Sequence, residues 1–490
     1  MNRLRVLVRS LAFLFLAMAA FAGIAVAQEP APHPQPQRPR LPSRSAPSTD
    51  LLITGGTVVT MDASHRVLQD GAVAVHETQI VAVGPRSDLE SRYPSARRID
   101  ARGRIVLPGF INTHTHAAMS LLRGVANDMT LEDWLTQRIF PAEKLNVTED
   151  FCVWGTRLSA LEMIEGGTTT FADMYYFEDA VARETKAAGL RGVLGESVID
   201  FPVPDSPSVD QSLAQIEKFL EHWKGDSMIR AAVAPHSPYT CSGETLKRAA
   251  ALARRFNAPL LIHVAETRHE RDESLEKKKL SPVAWLDSIG FLGPDVLAAH
   301  CVWVDDADIR TLVARGVGCA HNPASNSMLA SGVAPVPAML AAGLRLGLGT
   351  DSPAGSGNTL DMLEAMDLAA KLQKVSRLDP RALTAWQVLE MATIGGARAL
   401  HMEDQIGSLE PGKQADIILL RTDAPHEVPA YDVAGAIVYS MNASDVETEI
   451  VAGRILMEGR RLLTLDPASV TAKAREYAEK VKKSLAKPAQ

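Results

Sequence analysis

Cysteine is scarce and unpatterned. Cys152, Cys241, Cys301 and Cys319 are the only four in 490 residues, and no Cys-x-x-Cys pair occurs. That argues against a thiolate-built structural zinc and against a disulfide framework. Buried free thiols are the expectation. Positive charge is not in excess either. Fifty-one Lys and Arg against 58 Asp and Glu leave a net charge of −7, without the basic footprint of a nucleic-acid binder. There is no heptad or other short-period repeat. The apolar run from Leu11 to about Ala22 is at the short end of the ~20 residues that span a bilayer. It follows Arg3, Arg5 and Arg9 and precedes Ala25-Val26-Ala27. This is the pattern of a secretory signal peptide with Gln28 as first mature residue. It predicts an exported protein, periplasmic or secreted, with no stable membrane anchor.

What is present falls into two patterns. From Leu51 to about Val83, and again from Ala415 to Met457, short apolar segments alternate with Gly and Asp turns. The segments Ile53–Met61, Gly71–Val75, Ala415–Leu420, Ala436–Tyr439 and Val446–Val451 are expected to be strands. They predict one small β domain built from both chain ends. Between them, apolar strands alternate with helical stretches, as in repeated βα units. Candidate strands end at His114, Asp173, Glu196, His236, His263, His300, His321 and Asp351. The fold expected is α/β: a (β/α)8 TIM-type barrel with a composite β-sandwich domain. The boundaries are a signal peptide (1–27), a Pro-rich linker (28–49), a first β part (50–107), the barrel (108–403), a second β part (404–464) and a C-terminal helix (465–490).

In such a barrel the chemistry sits where the strands end. His114 and His116 are two residues apart on an extended segment, so both side chains point the same way. His263 and Asp351 stand at later strand ends. Three imidazoles and a carboxylate with one open position suit a single catalytic divalent ion, zinc or iron. Such an ion lowers the pKa of water to roughly 7. Glu266, three residues after His263, is placed to carry a proton to a leaving nitrogen. His300 is placed to bond the attacking oxygen or polarise the substrate, and Asp351 could accept a proton as well. His321 and Asp173 are expected to be hydrogen-bonded core residues.

Several segments carry a resemblance: Pro108-Gly-Phe-Ile-Asn-Thr-His-Thr-His116, Ser120-Leu-Leu-Arg-Gly-Val-Ala126, Pro235-His-Ser-Pro-Tyr239, Ile262-His-Val-Ala-Glu-Thr267, Ala299-His-Cys-Val302, His321-Asn-Pro-Ala-Ser-Asn326 and Gly349-Thr-Asp351. With them the chain resembles the amidohydrolase superfamily. Within it, the chain is most similar to the 5-methylthioadenosine/S-adenosylhomocysteine deaminases and the triazine chlorohydrolases. The resemblance runs from about Leu51 to about Leu463. It implies one metal on His114, His116, His263 and Asp351, with proton handling by Glu266 and His300. It also implies that Glu143 and His236 contact a nucleoside, alongside Glu266 and Asp351.

The chain departs from that branch where an arginine is expected near the end of the third barrel strand. Gly195-Glu196-Ser197 stands there, and no second arginine follows between Asp200 and Asp210. The missing cations are partners for a carboxylate-bearing tail. A Glu196 facing the pocket would repel such a tail. The loop Ser352-Pro-Ala-Gly-Ser-Gly-Asn358 departs too. The function expected is a metal-dependent hydrolytic deaminase of an aminated heterocycle, adenosine-like, acting on a small molecule. The alternatives are an exported amidase or chlorohydrolase cleaving another C–N or C–halogen bond, and a non-catalytic binding protein on the same barrel. A homo-oligomer is compatible with the sequence.

Overall fold

A computed structural model describes residues 49–486. The signal-peptide and linker assignments lie outside the described residues. The first strands are β1 (Leu51–Val59), β2 (Val67–His76), β3 (Gln79–Pro85), β4 (Arg97–Asp100) and β5 (Arg104–Pro108). The barrel strands follow: β6 (Phe110–Thr115), β7 (Thr168–Tyr175), β8 (Arg191–Val198), β9 (Ile229–Pro235), β10 (Leu260–Val264), β11 (Val296–His300), β12 (Gly318–His321) and β13 (Arg345–Leu348). The chain then returns to the outer sheet through β14 (Ile417–Arg421), β15 (Val446–Val451), β16 (Arg454–Glu458) and β17 (Arg461–Leu462).

Strand β5 joins the two chain ends. It pairs parallel with β1 through Ile105 and Val106, and antiparallel with β14 from Arg104 to Pro108. The result is one nine-stranded sheet. Ile53, Val73, Val106, Leu419 and Ile450 from both ends share a buried cluster. One expected strand is corrected: Ala436–Tyr439 lies in the helix Val433–Tyr439. The Asp432 carboxylate caps it by accepting the Gly435 N–H at 2.9 Å. A short apolar run does not distinguish a buried strand from a buried helix by periodicity, and here the cap and the neighbouring helices decide.

Strands β6 to β13 close into a parallel barrel. Most are buried along their whole length, which is why they read as apolar runs without alternation. The barrel interior is packed by Ile111, Val193, Ala232, Leu261, Leu297 and Ala320. The helix Ile394–Ala399 covers the end where strands begin, with Arg345 at the start of β13 donating to the Arg398 carbonyl. Helices Glu178–Ala188, Val209–His222 and Gly243–Phe256 follow β7, β8 and β9 in turn. Ser208 and Ser242 cap the latter two. The last helix, Pro467–Leu485, seats Tyr477 edge-on against Phe151. With one end filled by aliphatic side chains, the polar strand ends gather at the other. All four cysteines are buried and free.

Candidate active site at the barrel mouth

His114 leaves the end of β6 and His116 follows it. His263 stands on β10 and His300 ends β11. Asp351 lies three residues beyond β13 rather than in it, bridged to Thr115. Its backbone is left-handed at φ 64°, as is that of His300 at φ 74° and of Ala265, between His263 and Glu266, at φ 52°. Three non-glycine residues in this region within one site mark a backbone held by its surroundings. The turns bring strand-end side chains to a common point.

Second contacts fix the rings. The His116 Nδ1–H donates to the Met174 carbonyl at 2.6 Å, and the His263 Nδ1–H to the His236 carbonyl at 2.7 Å. Both Nε2 lone pairs therefore face inward, and they meet at 3.3 Å. Asp351 Oδ1 lies 3.3 Å from Nε2 of both His114 and His116. The buried His114 Nε2 makes no hydrogen bond. Two imidazole lone pairs facing each other repel unless a cation lies between them. The donor set therefore fits a divalent ion, with backbone carbonyls orienting the ligand rings. His114, His116 and His263 offer ligand atoms within 4.8 Å of one another, as do His114, His300 and Asp351.

Burial pushes the His263 imidazole well below its usual pKa, and the neighbouring histidines add to this. His114 falls to about 4 for the first reason. Burial works against the Asp351 carboxylate, but the His114 and His116 imidazoles beside it hold it well below the usual range. Burial lowers His116 too, but the Asp351 carboxylate beside it raises that imidazole overall; binding a metal would require it to give up its proton.

Glu266 is buried and its Oε1 is unpartnered; its Oε2 lies 3.7 Å from His300 Nε2. Burial, with the Asp351 charge behind it, holds this carboxyl well above the ordinary value, so it is suited to hold a proton. The His300 Nδ1–H donates to Asn326 Oδ1 at 3.0 Å, which turns Nε2 toward Glu266. Glu270 sits behind. One of its oxygens accepts the Ala265 N–H at 2.9 Å and the other the Glu266 N–H at 2.8 Å. The sequence reading missed Glu270. Its signal is position, one helical turn after Glu266 at the start of Arg268–Lys278.

Glu143 is not the solvated helix-end charge that its sequence position allows. It is 4% exposed and accepts the Tyr175 hydroxyl at 2.8 Å. Burial raises its pKa to about 7. Tyr175, also missed, ends β7 and carries no motif. His236 lines the same cavity, and its Nδ1 lies 3.0 Å from the Thr240 hydroxyl. Burial lowers it to about 3. Asp173 accepts the Thr115 hydroxyl and the Ala117 N–H, tying down the segment that carries His114 and His116. His321 is buried with neither ring nitrogen bonded, so the hydrogen bonds expected of it are absent.

Glu196 does not face the cavity. The neighbouring Ser197 lines it, while Glu196 accepts the Glu178 N–H at 2.7 Å and borders, with Asp205, a groove on the other side. Successive residues of a strand point to opposite faces, so one position decides between repelling a ligand and never meeting it. A further group, His426, Glu427 and Asp445, gathers in the outer domain. There the Arg421 guanidinium already pairs with Asp445 at 3.1 Å.

Comparison with known proteins agrees with this geometry. The model of the amidohydrolase family matches residues 105–456. That of an imidazolonepropionase-like composite domain of bacteria matches residues 71–96. A 5-methylthioadenosine/S-adenosylhomocysteine deaminase from Syntrophobacter fumaroxidans is 47% identical over 433 residues, 88% of this chain and 98% of its own. The structure of an adenosine deaminase from Xanthomonas campestris with bound zinc superposes with a TM-score of 0.87 at 37% identity, covering 89% of this chain and 99% of its own. A triazine hydrolase from Arthobacter aurescens follows at 0.82 and 26%, covering 88% and 100%.

Proposed function

The chain belongs to the amidohydrolase family and is a hydrolytic enzyme acting on C–N bonds, and from that premise we propose that it deaminates an adenine-type nucleoside. Hydrolysis would release ammonia and leave a carbonyl on the ring. The carrying observation is the convergence of His114, His116, His263 and Asp351 on one point, with Glu266 and His300 beside it in the same cavity. Relatives and a structural neighbour with nucleoside deaminase names support the substrate class.

In this reading His114, His116, His263 and Asp351 hold the ion, with zinc favoured by the zinc-bound neighbour and iron as the alternative. A divalent ion there supplies Lewis acidity, which makes water a competent nucleophile near neutral pH. Glu266 accepts a proton at Oε1 from the attacking water and returns it to the departing nitrogen. Its raised pKa favours holding that proton between the two transfers. His300 Nε2 faces the same space and orients the oxygen as it adds. Glu143, held by Tyr175, accepts from ribose hydroxyls, and His236 contacts the ring or sugar. Export rests on the Arg3–Ala27 pattern alone.

The test is incubation of metal-replete protein with adenosine, 5-methylthioadenosine, a triazine and an amide panel. Ammonia with loss of the adenine chromophore is expected. Halide or carboxylate as the sole product would move the protein to chlorohydrolase or amidase chemistry. Stoichiometric binding without turnover would make it a binding protein.

A further inference from the structure

The cavity that holds these groups is lined by His, Glu and Asp on its floor and by Leu131, Trp134, Leu135, Ile139, Phe140 and Leu329 on one wall. Among the described residues that line it, none is lysine or arginine. Its acidic side chains are Glu143, Glu266 and Asp351. Apart from Leu329, the apolar wall comes from the helical stretch 131–146, whose cations Arg138 and Lys144 lie on its exposed side. The wall is pinned from behind, where the Trp134 Nε1–H donates to the Ala354 carbonyl at 2.9 Å. Phe201, in the loop after β8, meets Phe140 edge-on at 5.4 Å. Lys278 belongs to a neighbouring groove beside Tyr239. Its ammonium donates to the Pro238 carbonyl and sits 3.2 Å over the Trp285 ring.

We propose that this site, if it is the nucleoside deaminase described above, selects adenine nucleosides whose 5′ substituent is uncharged and rejects those with an amino-acid tail. The argument is one of partners. A zwitterionic tail brings an ammonium and a carboxylate. The cavity offers acceptors for the ammonium. For the carboxylate it offers only single neutral donors, such as the Ser197 and Tyr239 hydroxyls. A desolvated carboxylate without a guanidinium or ammonium beside it is strongly disfavoured. A methylthio, methyl or hydroxyl group meets the apolar wall without that penalty. The residue that turns inward at the end of β8 is Ser197, while Glu196 turns outward. The selection therefore comes from a missing cation rather than from an anion pointed at the tail.

The experiment compares kcat/KM of the metal-replete enzyme for adenosine, 5-methylthioadenosine, S-adenosylhomocysteine and a 5′-S-pentylthioadenosine, an uncharged tail of comparable length. The expected order places methylthioadenosine and the pentyl analogue within about tenfold of each other. S-Adenosylhomocysteine is expected to be on the order of 100-fold lower, the cost of an unpaired buried charge. Equal turnover of S-adenosylhomocysteine overturns the proposal. So does a pentyl analogue as poor as S-adenosylhomocysteine, because length would then be the discriminator. Failure of every adenine nucleoside, with turnover of another amine, overturns the deaminase reading itself and is told apart by that pattern.

Discussion

His116 and His263 face each other Nε2 to Nε2 at 3.3 Å, each with its Nδ1–H given to a backbone carbonyl. The two residues are 147 positions apart in sequence. They hold an orientation that is repulsive until a cation lies between them.

Removing the ion should therefore do two things. Activity is expected to fall at least 100-fold on dialysis against a chelator and to return with zinc. Melting should drop by a few degrees, because a ligand bound to the folded state alone stabilises it by about 2.7 kcal/mol at a hundredfold excess over Kd. His263→Ala should show the same apo-like melting temperature with and without added zinc. Metal analysis of the purified protein and differential scanning fluorimetry read both effects. An apo protein that melts no lower than the loaded one would refute the shared-ion account.

Glu266→Gln keeps the shape and loses the titratable proton. kcat is expected to fall by ~10²–10⁴, the usual weight of general acid–base catalysis, with metal content unchanged. Full activity in the variant would remove Glu266 from the chemistry.

Glu143 gives a pH signature. Its folded pKa is raised to about 7 by burial, against an ordinary 4.5. The folded state thus holds a proton that the unfolded chain has released between these values. Stability from this group is full below about 4.5 and is lost as pH rises through 7. The acceptor form populates above 7, so KM for a nucleoside should fall as pH climbs from 6 to 8. Glu143→Gln should raise KM at pH 8 by roughly tenfold, the scale of a charged hydrogen bond, and flatten that step. KM profiles of the two proteins decide it. A step that survives in the variant belongs to another group.

Gly349 packs where a side chain cannot. A Cβ there would lie 2.3 Å from Asn322 Oδ1 and 3.0 Å from the His114 Cβ. Gly349→Ala should cost about 1–3 kcal/mol of stability by overpacking and displace His114. Weaker zinc retention alongside the lower melting temperature is the expected pair. Unchanged zinc affinity would mean that the strain relaxes toward Asn322.

Much of this protein was legible in one dimension. His114 and His116 share a direction because extended residues two apart must, and polar residues closing apolar strands point to a barrel mouth. The apolar patterning at both ends foretold a shared sheet, because neither end could bury its own face alone. What the sequence could not carry is parity and partnership. The fully buried β8 has no alternation to read, so only the packed pleat turns Ser197 inward and Glu196 outward. Ala436–Tyr439 became helix because a cap and neighbouring helices favoured it over a strand. Glu143, on the helix Phe140–Asn146, is buried where Tyr175 at the end of β7 reaches it. The residue types set the chemistry available; the closing of the barrel, by joining groups far apart in the chain, decided which of them meet.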